Sequence, residues 1–161
     1  MTFGEKSGCD TIAQVVLLKE LFGENHLRWM SFFMDVAVRT SQMSYATKRQ
    51  VGVVAVGGDR NIIDVAFNGT PPNWSNVCED ASGNTFDDVE HAERNLVARC
   101  ARHGKPLNGA TVFTTDLPCV ECARALAISG VKSVIYLNDY KNELGLEYLK
   151  KSNVAVIKFS V

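Results

Sequence analysis

From about residue 90 onward, β-rich runs and helix-like stretches alternate along the chain, and this alternation restricts the fold more than any other feature. A helical stretch near 90–103 leads to the run TVFTT. A second, from Cys119 to Ser129 and closed by Gly130, leads to SVIYL, and a third near 143–151 precedes the last run, VAVIKF. Strand–helix–strand units of this length place successive strands parallel in one sheet, joined by right-handed crossovers.

The first half follows another rule. Residues 11–22, TIAQVVLLKELF, read as a short helix stopped by Gly23. Between His26 and Met43 the apolar residues Leu27, Met30, Phe33, Met34, Ala37 and Val38 recur at three and four, the signature of a one-faced helix lying on a sheet. Two β-rich runs, 51–56 and 62–67, flank GGDRN, whose Gly, Asp and Asn favour a tight turn and hence an antiparallel hairpin. Asn68 to Asp88 is polar, contains Pro71-Pro72 and lacks periodicity. A loop of that length is usually functional or disordered, and its Trp74 and Phe86 favour a packed, functional one. The fold expected is an α/β sandwich, antiparallel in its first strands and parallel in its later ones.

Composition limits what such a sandwich can do. At 161 residues and 46% hydrophobic, the chain has material for one core, so 1–161 is expected to be a single domain with residues 1–24 as an N-terminal helical extension. A formal net charge of −1 offers no general field for a polyanion, which makes nucleic acid an unlikely partner. No apolar run reaches the roughly 18 residues of a membrane span, and MTFGEKSGCD lacks the blocks of a signal peptide, so a cytoplasmic protein is expected. Five cysteines at irregular spacing then read as thiols or metal ligands, not as a disulfide framework.

Two of them carry chemistry. In PCVEC, Cys119 and Cys122 are three apart at a helix start and can close on one metal ion, and the helix N-terminus favours their thiolates. VEHAERN supplies a partner imidazole, His91, two residues before Glu93. Two thiolates and one imidazole make three ligands, which leaves a zinc ion an open position for water and lowers that water's pKa toward about 7. Glu93 can then sit beside the water without ligating the metal and carry its proton. The pair of motifs matches the H-x-E followed by P-C-x-x-C signature of zinc nucleobase deaminases. The rival reading is a structural zinc site with Glu93 or one of the spare cysteines, Cys9, Cys78 or Cys100, as fourth ligand. Cys100 sits in a helix, where burial as a small hydrophobe is the commoner fate.

From about Leu27 to Val156 the blocks KRQVGVVAV, AFNGTPPN, HAERN, LPCVEC and ISGVKSVIYLNDY resemble, in the same order, those of the cytidine deaminase superfamily. Within it the chain is most similar to the deoxycytidylate (dCMP) deaminases of phage type. The resemblance implies a three-layer fold with a five-stranded mixed sheet flanked by helices. It implies one catalytic Zn2+ per chain on His91, Cys119 and Cys122, and Glu93 as proton shuttle. Asn68 would hydrogen-bond the deoxyribose, although Asn before Gly69 is also an ordinary turn residue. Tyr136 and Tyr140 occupy positions where a ring packs on the pyrimidine, with sheet-face core as the alternative. Arg49 and Lys141 are the candidate phosphate ligands, against the plain reading of solvated surface charges.

The activity implied is hydrolysis of dCMP, and of dCTP as a further candidate substrate, yielding dUMP for thymidylate synthesis. Family members of this type are activated by dCTP and inhibited by dTTP across a homohexamer, with Mg2+ accompanying the effector triphosphate. Asn68, Gly69 and Pro71 would belong to that effector site. The protein would work in the cytoplasm, that of the host if phage-encoded. Two departures stand out: Phe67 replaces the usual Tyr, and Pro72-Asn73 stands where the loop usually has Gly after its proline. The segment from Val77 to Val89 is short beside relatives that bind a second zinc in an insertion; no second zinc is expected, with Cys78 the residue best able to overturn that. A tRNA or single-stranded DNA deaminase and a non-catalytic zinc-stabilised nucleotide sensor are the competing functions.

Overall fold

The computed structural model describes residues 12–160. The hairpin expected around GGDRN forms from β1 (Gly52–Val56) and β2 (Ile62–Phe67), paired antiparallel with a bulge at Ala55/Val56. Its turn closes by the Gly57 amide donating to the Asn61 carbonyl at 2.9 Å, with Arg60 in the left-handed region at φ 68°. β3 (Thr111–Asp116) then inserts antiparallel beside β1, and β4 (Ser133–Asn138) and β5 (Ala155–Lys158) add parallel to it. The strand order is β2-β1-β3-β4-β5. β1 and β3 are buried at every position, as strands covered on both faces must be, while edge strand β2 buries only Asp64 and Ala66.

Five helices cover the two faces. α1 (Ile12–Phe22) and α2 (His26–Ser41) pack on one side, where Leu18, Phe22, Met30, Phe33, Met34 and Ala37 meet Val54, Val56, Phe113 and Ile135. Phe33 is wholly buried and stacks on Trp29 with ring centroids 5.7 Å apart. The helix pattern read from the sequence holds except at Leu27, which is 69% exposed in the first turn of α2. α2 lies close because β1 opens on Gly52: a Cβ there would overlap the Ala37 carbonyl and the Ser41 amide. α3 (Ala92–Arg102), α4 (Val120–Ile128) and α5 (Leu144–Lys151) cover the other face, burying Leu96, Ala123, Leu126 and Leu149 against Val53, Ala55, Val112 and Val134. Cys100 is part of this core, 2% exposed. The layers are therefore helices, five-stranded mixed sheet, helices, as expected.

The long loop is ordered by a different means than its aromatic residues suggested. Trp74 is 58% and Phe86 43% exposed, so neither anchors it. Hydrogen bonds do: Gly69 and Glu90 exchange backbone bonds of 3.1 and 2.9 Å, and the Glu79 carboxylate accepts from the amides of Thr47 and Lys48 and from the Thr47 hydroxyl. Asn73, where the resemblance leads one to expect a glycine, adopts φ 71°, a conformation asparagine tolerates better than most side chains. The part of the expected N-terminal extension before Ile12, including Cys9, lies outside the described residues.

Candidate active site

β1 begins, and β2 and β3 end, at one edge of the sheet. Two helices start there as well, so their positive N-terminal ends converge. His91 is the N-cap of α3 and Cys119 the N-cap of α4, both with extended backbone (ψ 150° and 170°) and neither using its side chain to cap. That leaves imidazole and thiol free to face each other. Cys122 follows in the first turn of α4, buried. The exchange of backbone bonds between Gly69 and Glu90 fixes the approach of His91, and the Asn95 side-chain amide donates to the Phe67 carbonyl at 3.0 Å, tying α3 to the end of β2. Asn95 is thus a brace between elements and makes no contact with Glu93 in its hydrogen bonding.

The His91 Nδ1 lies 3.5 Å from the Cys119 Sγ and 3.4 Å from the Cys122 Sγ, and the three donor atoms all fall within 4.8 Å of one another. Tetrahedral zinc with bonds of about 2.0 Å to nitrogen and about 2.3 Å to sulfur requires N···S edges of about 3.5 Å. The residues fit the metal. Cys119 is held low, to about 3, chiefly by the hydrogen bond from Cys122 and also by His91, so the pair already carries thiolate character at neutral pH. Cys122 is pushed up by the same contact and by burial.

Glu93, in the first turn of α3, is 4% exposed. Burial pushes its carboxyl up to about 7, against the opposing pull of its own backbone amide, Cys122 and His91. No lysine or arginine pairs with it among the described residues' ion pairs. A carboxyl kept beside a metal donor set, dry and without a cationic partner, is placed to hold and release a proton.

These groups open into a cavity of about 580 Å3 lined by His91, Glu93 and Cys119 together with Arg49, Asn68, Tyr140 and Lys141. Tyr140 has both cations near its ring, the Arg49 guanidinium 5.7 Å and the Lys141 ammonium 5.5 Å from its centre. Asn68 lines the cavity but divides its amide: its oxygen accepts from the Val51 amide and its nitrogen donates to the Arg49 carbonyl, both at 2.8 Å. Tyr136 does not join them. It is 7% exposed on β4, in register with Thr114 and Lys158, so the sheet-core alternative describes it. Gly69 and Pro71 also lie elsewhere, in a groove of about 460 Å3 that includes Arg99, Arg102 and His103; Asn68 does not line that groove.

Sequence reasoning missed three charged residues of the cavity, Lys48, Glu79 and Asp116. Asp116, buried at the end of β3, accepts from the Arg49 Nε at 2.6 Å. An acidic residue three positions before a metal-ligating cysteine was the available signal, and its partner lay 67 residues away. Cys78 is 2% exposed and its thiol is pushed up by burial, the state of a packed thiol and not of a ready ligand.

A layered α/β fold that brings one imidazole, two thiols and a dry carboxyl to paired helix N-termini defines a class, the zinc-dependent deaminases, hydrolases acting on C–N bonds. Comparison with known proteins gives the family. The sequence model of the cytidine and deoxycytidylate deaminase zinc-binding region matches residues 27–138, and the chain belongs to that family. It is 28% identical to human deoxycytidylate deaminase over 123 residues, covering 72% of this chain and 68% of that one. With the deoxycytidylate deaminase of Mycobacterium phage D29 it shares 30% identity over 122 residues, 67% of this chain and 93% of the phage protein. Among solved structures, the dCMP deaminase of cyanophage S-TIM5 in complex with dCMP and dUMP superposes with a TM-score of 0.77 at 33% identity, covering 80% and 95% of the two chains. Among the described residues no helix is long and apolar enough to cross a membrane.

Proposed function

We propose that this chain, acting as one zinc-dependent domain, hydrolyses dCMP to dUMP and ammonia. The observation that carries the monophosphate is the cationic rim formed by Arg49 and Lys141 around Tyr140, in the same cavity as His91, Glu93 and Cys119. The names and the bound nucleotides of the relatives support the same choice. His91, Cys119 and Cys122 would hold zinc, which supplies the Lewis acid that makes a water nucleophilic at neutral pH. Glu93 takes one proton from the attacking water and gives it to the ring nitrogen, then takes the second from the new C4 hydroxyl and gives it to the amine as the C–N bond breaks and ammonia leaves. Asn68 retains one amide hydrogen and one oxygen lone pair for the deoxyribose, and Tyr140 offers its ring to the pyrimidine. The rim meets the 5′-phosphate.

The groove holding Gly69, Pro71, Arg99, Arg102 and His103 suits an anionic effector, dCTP activating and dTTP inhibiting, with Mg2+ on the triphosphate, in a homohexamer. The setting is nucleotide metabolism in the cytoplasm, the dUMP feeding thymidylate synthesis.

An ultraviolet deamination assay across cytidine, dCMP and dCTP, repeated with dTTP, tests the reading. Turnover is expected to be greatest on dCMP; activity on cytidine alone would remove the phosphate argument, and equal ammonia release from an oligonucleotide would favour a nucleic-acid substrate. Glu93→Gln is expected to keep its zinc and lose about 100-fold or more in kcat, the range for removal of a proton-transfer group. Were neither wild type nor variant to turn over while both bound nucleotide, the protein would be a sensor.

A further inference from the structure

Arg49 does not stand free at the rim. Its Nε donates to the Asp116 Oδ2 at 2.6 Å, and one terminal nitrogen donates to the Asp139 carbonyl at 3.3 Å. Asp116 is itself held: its Oδ1 accepts from the Asn138 side-chain amide at 3.1 Å, and its carbonyl accepts from the Thr114 hydroxyl at 3.0 Å. The Asp116 side chain is 8% exposed and that of Arg49 47%. A rigid, buried carboxylate therefore grips the stem side of a guanidinium whose outer side remains in the cavity. Guanidinium has five N–H donors in a planar fork, so two can be committed to the protein while others serve a ligand; a lysine ammonium at the same place has one nitrogen for both tasks.

We propose that Asp116 is a positioning residue for the substrate's 5′-phosphate: by fixing the Arg49 Nε it aims the remaining guanidinium donors into the cavity above Tyr140. The proposal rests on the reading of Arg49 as a phosphate ligand. It assigns Asp116 no contact with substrate, since both carboxylate oxygens already accept hydrogen bonds from protein. An arginine oriented in advance loses less freedom when the phosphate arrives, so the benefit appears in binding and not in the bond-breaking step.

The test uses zinc-loaded Asp116→Asn, Arg49→Lys and Arg49→Ala and the double variant of Asp116→Asn with Arg49→Ala, each checked for zinc content and Tm. Two competing ligands probe the halves of the substrate: deoxyribose 5-phosphate, which has no base, and deoxycytidine, which has no phosphate. Asp116→Asn and Arg49→Lys are expected to raise the KM for dCMP about tenfold, the scale of one charge-assisted hydrogen bond, with kcat within about twofold. Inhibition by deoxyribose 5-phosphate should weaken by the same factor and inhibition by deoxycytidine should not change. In the Arg49→Ala background, adding Asp116→Asn should change nothing further.

Parallel weakening of both inhibitors in Asp116→Asn would show a general structural role and overturn the proposal. If Arg49→Ala weakens the phosphate probe and Asp116→Asn does not, the positioning claim falls while the phosphate ligand stands. If Arg49→Ala leaves the phosphate probe untouched, the phosphate reading fails and takes the proposal with it. Should Asp116→Asn not fold, Arg49→Lys decides: a wild-type KM there means charge alone suffices and the fork is not needed.

Discussion

The side-chain amide of Asn68 does two things at once, and this shows how closely binding and folding are joined at this site. It closes the segment Arg49–Val51 onto the end of β2 through two hydrogen bonds of 2.8 Å, and the same segment carries the arginine of the rim. Asn68→Ala should therefore destabilise the protein by about 1–2 kcal/mol, the range for losing one partly buried and one exposed hydrogen bond, and lower kcat/KM. A urea melt combined with kinetics would check this; full stability with lost activity would mean that the amide serves only substrate. At this scale, legibility depended on sequence distance. His91 with Glu93, and Cys119 with Cys122, could be read because each pair lies within one helical turn, where spacing alone fixes proximity. Asp116 and Glu79 could not, because their partners Arg49 and Thr47 are 67 and 32 positions away and meet only once the sheet and the loop are in place.

Elements hold the metal donors as much as the donors' own turns do. α5 packs against the loop entering α4 through Gly145, where a Cβ would overlap the Pro118 carbonyl, one residue before Cys119. Gly145→Ala is expected to cost about 1–3 kcal/mol through overpacking and to weaken zinc affinity by displacing Cys119. Metal competition with a chromogenic chelator measures the second effect; unchanged affinity would show that the loop yields without moving the ligand. Strands and helices were recoverable from pattern because β1 is a continuous run of small and apolar residues, β3 is rich in β-branched and aromatic ones, and α2 keeps one apolar face. What periodicity could not supply was depth. Leu27, Trp74 and Phe86 are apolar or aromatic and nevertheless exposed, one in the first turn of a helix and two in a loop, because the assembled fold and not residue type decides burial. Tyr136 went the other way, its place in the middle of three paired strands outweighing any call from the cavity.

For the molecule as a whole, one buried ion group sets an acid limit that is independent of the active site. Asp64 on β2 bonds Arg99 and Lys105, each at 3.1 Å, and joins α3 and the following turn to the edge strand. Burial would raise its pKa, but the Val65 amide, Lys105 and Arg99 outweigh it and hold the carboxyl below its ordinary value of 3.8. A carboxylate lowered in the folded state contributes stability that is present above its unfolded pKa and is lost as pH falls through the folded one. Asp64→Asn should thus lower Tm at pH 7 and flatten its decline below about pH 4. Identical Tm profiles for the two proteins would refute this. The sheet order also sets a timetable. His91 precedes its sulfur partners by 28 and 31 residues, with α3 and β3 between them, and meets them only when β3 has slotted beside β1. During refolding the two cysteines alone can grip a metal weakly, and tight capture must wait for a non-local pairing. The metal is in that sense a late witness to a finished sheet: in stopped-flow refolding with zinc, high-affinity uptake should trail the far-ultraviolet strand signal, and uptake that leads it would mean the metal gathers the chain itself.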